Sequence, residues 1–351
     1  MVLNDSMLSA AFRYREIELW KTLEDSDLFA VSLSTGEIGY CSVMGNAGEH
    51  FALGLYIGDL GFSTYLKTIS MANKEVVEMH EASISFDCIN CDFVNANDMT
   101  PQSKKIIKAY VASHGVKVRR PKGWPDFARY SPYKMPWSIT KEEDAQAITE
   151  ALEASAHVAE MLKTHSREEL GFELYSTYPT EKGGKVVPYL IPQADGTYQW
   201  STTKLPALCP DVYPKPSFNN DILAHKLKSL RKAGTFQCRF VHVPPVFDAK
   251  SDEAPCFLGL MLCLDEESGA LLPPLFLTDG NEKKPDSLLN DLANIFSSDD
   301  ACPATILVAD GLTKSLLNDF CKKCGIAIKK KSSLAELNDA YAYVMASFFM
   351  R

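Results

Sequence analysis

This chain lacks most of the short signals that disclose an activity. No Gly-x-Gly-x-x-Gly, Gly-x-x-x-x-Gly-Lys-Ser/Thr or Gly-x-Ser-x-Gly occurs in it, so dinucleotide-binding, P-loop and α/β-hydrolase chemistries have no support. The histidines at 50, 80, 114, 157, 165, 225 and 242 form no His-x-x-x-His pair. The longest apolar runs, Phe257–Leu264 and Ala340–Met350, fall well short of the ~20 residues that cross a bilayer. Residues 1–27 show no basic stretch leading into an apolar one, so no signal peptide and a cytoplasmic location are expected. Positive charge is also short: 36 Lys and Arg face 45 Asp and Glu, a net charge of −9. That balance excludes broad binding to nucleic acid or anionic membrane and leaves only a local basic patch for such contacts.

What is present is an ordinary globular composition, 46% hydrophobic and 23% charged over 351 residues, enough for two domains. Ten cysteines are scattered along the chain and read as reduced, buried thiols.

An amphipathic helix is predicted over 5–24, then three short strands (28–33, 37–44, 51–57) separated by Gly- and Asn-rich turns. A helix follows Gly61 to about Met79, then a strand over 83–94. Thr100-Pro101 opens a helix that Gly115 closes, and 116–120 reads as a strand. Thr140 and Glu143 form a capping box for a long helix to about residue 164. Residues 166–235 read as a connecting region with strands at 172–178, 186–191 and 198–203, a stretch with Pro206, Pro210, Pro214 and Pro216, and a helix from Asn219/Asn220 to Lys232. Strands at 236–247, 257–264 and 270–277 come next, then a helix at 286–296 and a strand at 305–309. Thr313 caps a further helix, 326–330 is a strand, and Ser333 with Glu336 caps a final helix striped by Leu337, Tyr341, Val344 and Phe348.

Both halves thus read β-β-β-α-β-α-β-α, without a residue-level repeat. The expected fold class is α/β (α+β): two domains, 1–165 and 236–351, with mixed sheets flanked by helices, joined by 166–235.

Two resemblances accompany this reading. The stretch Ser34-Thr35-Gly36-Glu37-Ile38-Gly39-Tyr40-Cys41-Ser42-Val43-Met44-Gly45, with Glu49-His50 and Pro136-Trp137, resembles the opening domain of an uncharacterised bacterial two-domain family. The C-terminal third resembles the domain of unknown function often fused to it. That resemblance implies a fold and no chemistry. Separately, Phe236 to about Phe348 resembles the ribonuclease H-like fold of the integrase and transposase branch. Leu264-Asp265-Glu266-Glu267-Ser268-Gly269 stands for its hairpin between second and third strands, Val308-Ala309-Asp310-Gly311 for its fourth strand ending in an acid, and Gly325-Ile326 for the start of its fifth. Catalytic members carry a metal-binding carboxylate inside the first strand. Here that strand, Phe236-Gln237-Cys238-Arg239-Phe240-Val241-His242-Val243, holds no acid. Because two divalent cations need several carboxylates, the resemblance implies a shell without the nuclease.

Three constellations remain. Asp265, Asp310 and Asp339 are candidates for a partial Mg²⁺ or Mn²⁺ site, or are a hairpin acid, a strand-end acid and a solvated helix acid. Cys88/Cys91 and Cys321/Cys324 have the ligand count of a Cys₄ zinc site, or are core thiols. Residues 117–137 interleave cations with aromatics. Arg119, Arg120, Trp124, Phe127, Arg129, Tyr130, Tyr133 and Trp137 either grip a partner, stack nucleic-acid bases, or pin an ordered loop to the core. Lys322, Lys323 and Lys329 to Lys331 read as a solvated edge. The leading expectation is a non-catalytic protein that binds a protein partner, with no cofactor and no membrane contact. The alternatives are a divalent-metal nuclease or phosphodiesterase, and a zinc-stabilised or redox protein.

Overall fold

The structure, a computed structural model, describes residues 1–71, 74–245, 253–277, 285–298 and 301–349. Two units make it up. The first is Met1–Lys74 with Ala82–Cys209, and the second is Glu75–Glu81 with Pro210–Arg351.

The first unit runs α1 (Asp5–Ile17), β1 (Phe29–Ser32), β2 (Ile38–Met44), β3 (Phe51–Ile57) and α2 (Gly58–Ile69). After α3 (Val76–Ser83), most of which belongs to the second unit, it resumes with β4 (Cys88–Val94), α4 (Pro101–His114), β5 (Trp124–Tyr130), α5 (Glu142–Met161), β6 (Val186–Pro192) and β7 (Tyr198–Lys204). Among the described residues its sheet has the order β5-β4-β3-β2-β1-β6-β7. The meander β1-β2-β3 is antiparallel as expected, with Gly36 supplying the positive φ its first turn needs. One face packs under α1, α4 and α5 through Val31, Cys41, Leu53, Ile89 and Phe93. The other packs on α2 through Tyr40, Tyr56, Phe62 and Leu66.

The second unit continues with α6 (Asp221–Ser229), β8 (Arg231–Val243), β9 (Leu258–Asp265), β10 (Leu275–Leu277), α7 (Pro285–Phe296), β11 (Ala301–Val308), α8 (Gly311–Cys324), β12 (Ala327–Lys330) and α9 (Ala335–Phe349). Its sheet order is β10-β9-β8-β11-β12. β9 is antiparallel to β8 and β10, while β11 is parallel to β8 and β12. Cys238 and Phe240 of β8 face a core with α6, α7 and α8, and Val241 and Val243 face one with α9. Both units are therefore mixed sheets flanked by helices. No helix among the described residues is long and apolar enough to cross a membrane.

Several expectations change. The connecting region 166–235 is no separate region. β6 pairs in parallel with β1, Ala30 opposite Tyr189, so 166–209 completes the first unit, and α6 with the start of β8 belongs to the second. Residues 116–120 and 172–178 form no strand. The helix read from Gly61 to Met79 is two helices, α2 and α3, with 72–73 outside the described residues. The strand read to Phe247 ends at Val243, and its last two expected residues also lie outside them. The side chain of Phe348 is likewise not described.

The caps shift as well. Thr100 caps α4 by accepting from the Ser103 N–H, as expected. Lys141, not Thr140, precedes α5 and makes no side-chain cap. Asp310, not Thr313, caps α8. Ser333 and Glu336 bond to Glu75 and Gln237 rather than to each other's backbone. Capping side chains are drawn to tertiary partners when those partners are charged or buried.

Candidate functional site

The alternation of β8 decides where its polar residues go. Gln237 and Arg239 share the face of Val241 and Val243, and both are buried. A buried guanidinium needs acceptors around it, because removing its water is costly. Arg239 Nη1 lies 3.2 Å from Glu75 Oε2 and donates to Asn338 Oδ1 on α9, while its Nε stands 3.9 Å from Asp310 Oδ2. Asp310 is itself held in place, since its Oδ1 and Oδ2 accept from the backbone N–H and hydroxyl of Thr313 at 2.7 and 2.8 Å. The Thr313 hydroxyl in turn accepts from the Phe240 N–H at 2.8 Å. Glu75 also accepts from the Ser333 hydroxyl. Burial pushes the Glu75 carboxyl up, but hydrogen bonds from Ser333, Arg239 and Asn338 outweigh it and hold the group below its ordinary value.

Gln237 extends the cluster. Its Nε2 donates to Glu336 Oε2 at 2.9 Å and to Glu266 Oε1 at 3.2 Å, and Lys331 pairs with Glu266 at 3.1 Å. Its Oε1 is buried with no hydrogen-bond partner among the described residues. Near the end of β8, Glu81 accepts from the His242 N–H and lies on His242 Nδ1, each at 2.8 Å. Residues 237, 239, 242, 310 and 338 thus gather with Glu75 and Glu81. Sequence reasoning marked Asp310 and the missing acid of the first strand. It missed Glu75 and Glu81, which lie more than 150 residues from their partners in the chain and carry no local signal.

Of the three acids singled out, only Asp310 reaches this cluster. Asp265 accepts from the Glu267 N–H at 3.1 Å and the Ser268 hydroxyl at 2.7 Å, which closes its hairpin and lowers its carboxyl below the usual value, chiefly through Ser268. Asp339 is exposed, and its neighbour Asn338 is the residue turned toward Arg239. Among the described residues no three His, Cys, Asp or Glu side chains are grouped to hold a metal ion.

The cysteine pairs are also placed. Cys88 and Cys91 fall on opposite faces of β4, one packed with Tyr56 and the other with Phe93, so they cannot close on one ion. Cys321 and Cys324 lie in the core under α8. Burial pushes the thiols of Cys88, Cys321 and Cys324 up to about 12, which disfavours the thiolate a metal needs. Of the ten free thiols, Cys209 and Cys256 are half-exposed and the others are buried. A soluble disulfide reagent is therefore expected to modify Cys209 and Cys256 in the native protein and the rest only in denaturant. Rapid native labelling of Cys321 or Cys324, followed by mass spectrometry of the peptides, would contradict this placement.

The aromatic and basic segment is not a loop; its centre is β5, at one end of the first sheet. A strand sends alternate side chains to opposite faces. Phe127 is buried on the face of α1 and α5, whereas Tyr130 packs toward Phe86 on the other. Trp124 rests partly against the first of these cores. Arg129 is committed to Asp87, to the Cys88 and Tyr130 carbonyls, and at 3.8 Å to Asp144. Trp137 bridges Arg129 through backbone hydrogen bonds of 2.7 and 3.1 Å. Arg119 pairs with Glu18 at 2.8 Å. Arg120 and Tyr133 are exposed. The eight residues therefore build no single stacking stripe. An open cavity of about 790 Å³ in the first unit, lined by Leu66, Ile69, Tyr178, Pro179 and Lys182 among others, had no counterpart in the sequence reading.

No curated protein matches the chain. Among solved structures, one similar chain belongs to a simian T-cell lymphotropic virus intasome in complex with PP2A regulatory subunit B56 gamma. It is 13% identical at a TM-score of 0.23, over 38% of this chain and 44% of that one. Residues 5–176 match a domain of unknown function, DUF7309, and residues 223–345 match a second, DUF6930. The two matches fit an uncharacterised two-domain family.

Proposed function

We propose that the second unit is a ribonuclease H-like domain that binds rather than cleaves, in a cytoplasmic protein whose task is to engage a protein partner. The strand order β10-β9-β8-β11-β12, with β9 alone antiparallel to the central β8, supports the fold assignment. The observation that carries the functional reading is Arg239. It stands on the first strand of the unit, opposite the acid that follows β11 and caps α8, and a residue of the last helix. In a nuclease of this fold those three positions converge on divalent metal. Here they supply a permanent cation, one carboxylate and one amide. A guanidinium is never a ligand and repels Mg²⁺, so this donor set does not fit a metal pair. The guanidinium instead stands where the cation would, sharing its single charge between Glu75 at 3.2 Å and Asp310 at 3.9 Å.

The test is direct. Labelled single-stranded DNA, duplex DNA, RNA and an RNA–DNA hybrid are incubated with the full chain and Mg²⁺ or Mn²⁺. No cleavage above buffer is expected, and calorimetric titration with Mn²⁺ is expected to show no saturable heat. Metal-dependent cleavage that Asp310→Asn abolishes would overturn the reading.

A further inference from the structure

We infer that the face of the second unit formed by β8, β9 and α9 is a docking groove for an acidic amphipathic helix, occupied here by the chain's own α3. The inference rests on the binding reading above and names the kind of partner. Glu75–Glu81 belongs to the second unit although first-unit residues flank it on both sides in the sequence. Val77, 2% exposed, inserts among Val241, Val243, Leu260, Leu262, Leu337 and Tyr341. Glu75 before it meets Arg239, and Glu81 after it meets His242. The groove therefore reads an apolar anchor between two acids six residues apart, against two basic side chains of its own. The outward residues Val76 and Met79 are exposed at 68% and 40%.

A helix of eight residues has almost no stability of its own in water. α3 holds its shape because the groove holds it. Its contacts are one buried valine, the His80 ring against Phe257 and Tyr341, the Ser333 hydroxyl on Glu75, and two pairs whose acidic members are 32% and 24% exposed, while Leu334 and, from α9, Leu337 and Tyr341 belong to the same core. Segments held by few buried contacts open before the global unit does. Once α3 leaves, Arg239 keeps Asp310 and Asn338 but loses its carboxylate partner in Glu75, and the vacant groove favours a helix that brings an acid to the same place. A partner helix competes against an occupant tethered in the same chain, whose effective concentration is on the order of millimolar, so exchange is graded by the partner's own acid spacing.

Two measurements on the full chain test this. Native-state hydrogen exchange at neutral pH is expected to show the α3 amides exchanging at least ten-fold faster than those of β8 and α9. Fluorescence anisotropy with a labelled peptide of residues 74–84 is expected to show saturable binding, at least ten-fold tighter to the Glu75→Gln/Glu81→Gln chain than to wild type. The same peptide carrying both substitutions is expected not to bind. Exchange of α3 only at the rate of β8 and α9 would overturn the inference, and that measurement needs no variant to fold. Failure of the peptide to bind a double variant with an unaltered melting curve would overturn it too. Either failure leaves the absence of cleavage intact. Metal-dependent cleavage with α3 exchanging early would instead remove the non-cleaving reading and keep the groove.

Discussion

Arg239→Met is expected to lower the stability of the second unit by about 3 kcal/mol, because removing one member of a buried charge cluster strands the others. The side chain is 4% exposed, and its carboxylate partners Glu75 and Asp310 are 32% and 28% exposed. Those partners recover part of their hydration once the guanidinium is gone, which keeps the cost at the lower end for such a change. Methionine fills much of the volume, so the loss reads as electrostatic rather than as a cavity. Arg239→Lys should fall between the two, since one ammonium cannot meet Glu75, Asn338 and Asp310 from a single point as the planar fork does. Urea denaturation followed by circular dichroism measures all three chains. An Arg239→Met chain as stable as wild type would show that the cluster tolerates two stranded carboxylates and that Arg239 is not what balances them.

Phe218→Ala is expected to cost about 3–4 kcal/mol, as much as a core truncation, although Phe218 follows the Pro-rich stretch that reads as a linker. Its side chain is fully buried and stands edge-on to Phe320 at 5.1 Å. Its N–H donates to Asp319 at 2.8 Å and its carbonyl accepts from Lys323 at 2.8 Å. The ring therefore anchors the stretch ahead of it on α8. A truncation that changes the denaturation midpoint by less than an exposed control such as Val212→Ala, where the side chain is 95% exposed, would show that the stretch is a linker after all.

The legible part of this fold was its local grammar. The meander of the first unit, the Thr100-Pro101 start of α4, the Gly115 stop and the Asp265 hairpin were all readable, because each depends on residues within a few positions of one another. β5 was misplaced by several residues, since its alternation of Phe127 toward one core and Tyr130 toward the other looks like a basic, aromatic loop until β4 stands beside it. The capping boxes at Thr140 and Ser333 fit the sequence rule, but Ser333 is bound by Glu75, a partner 258 residues away.

For the candidate site, the sequence by itself determined that the first strand of the second unit carries no acid and that an acid, Asp310, closely follows β11. Composition and order alone settle those points. Tertiary structure decided the rest: that Arg239 rather than Cys238 faces Asp310, that Asn338 rather than Asp339 turns inward, and that Glu75 and Glu81 come from a segment embedded in the other unit's sequence. The reason is physical. Which face a strand residue takes follows from the sheet's layers, and which distant acid reaches a buried cation follows from the cost of leaving that cation unpaired. Neither is encoded in the spacing of nearby residues.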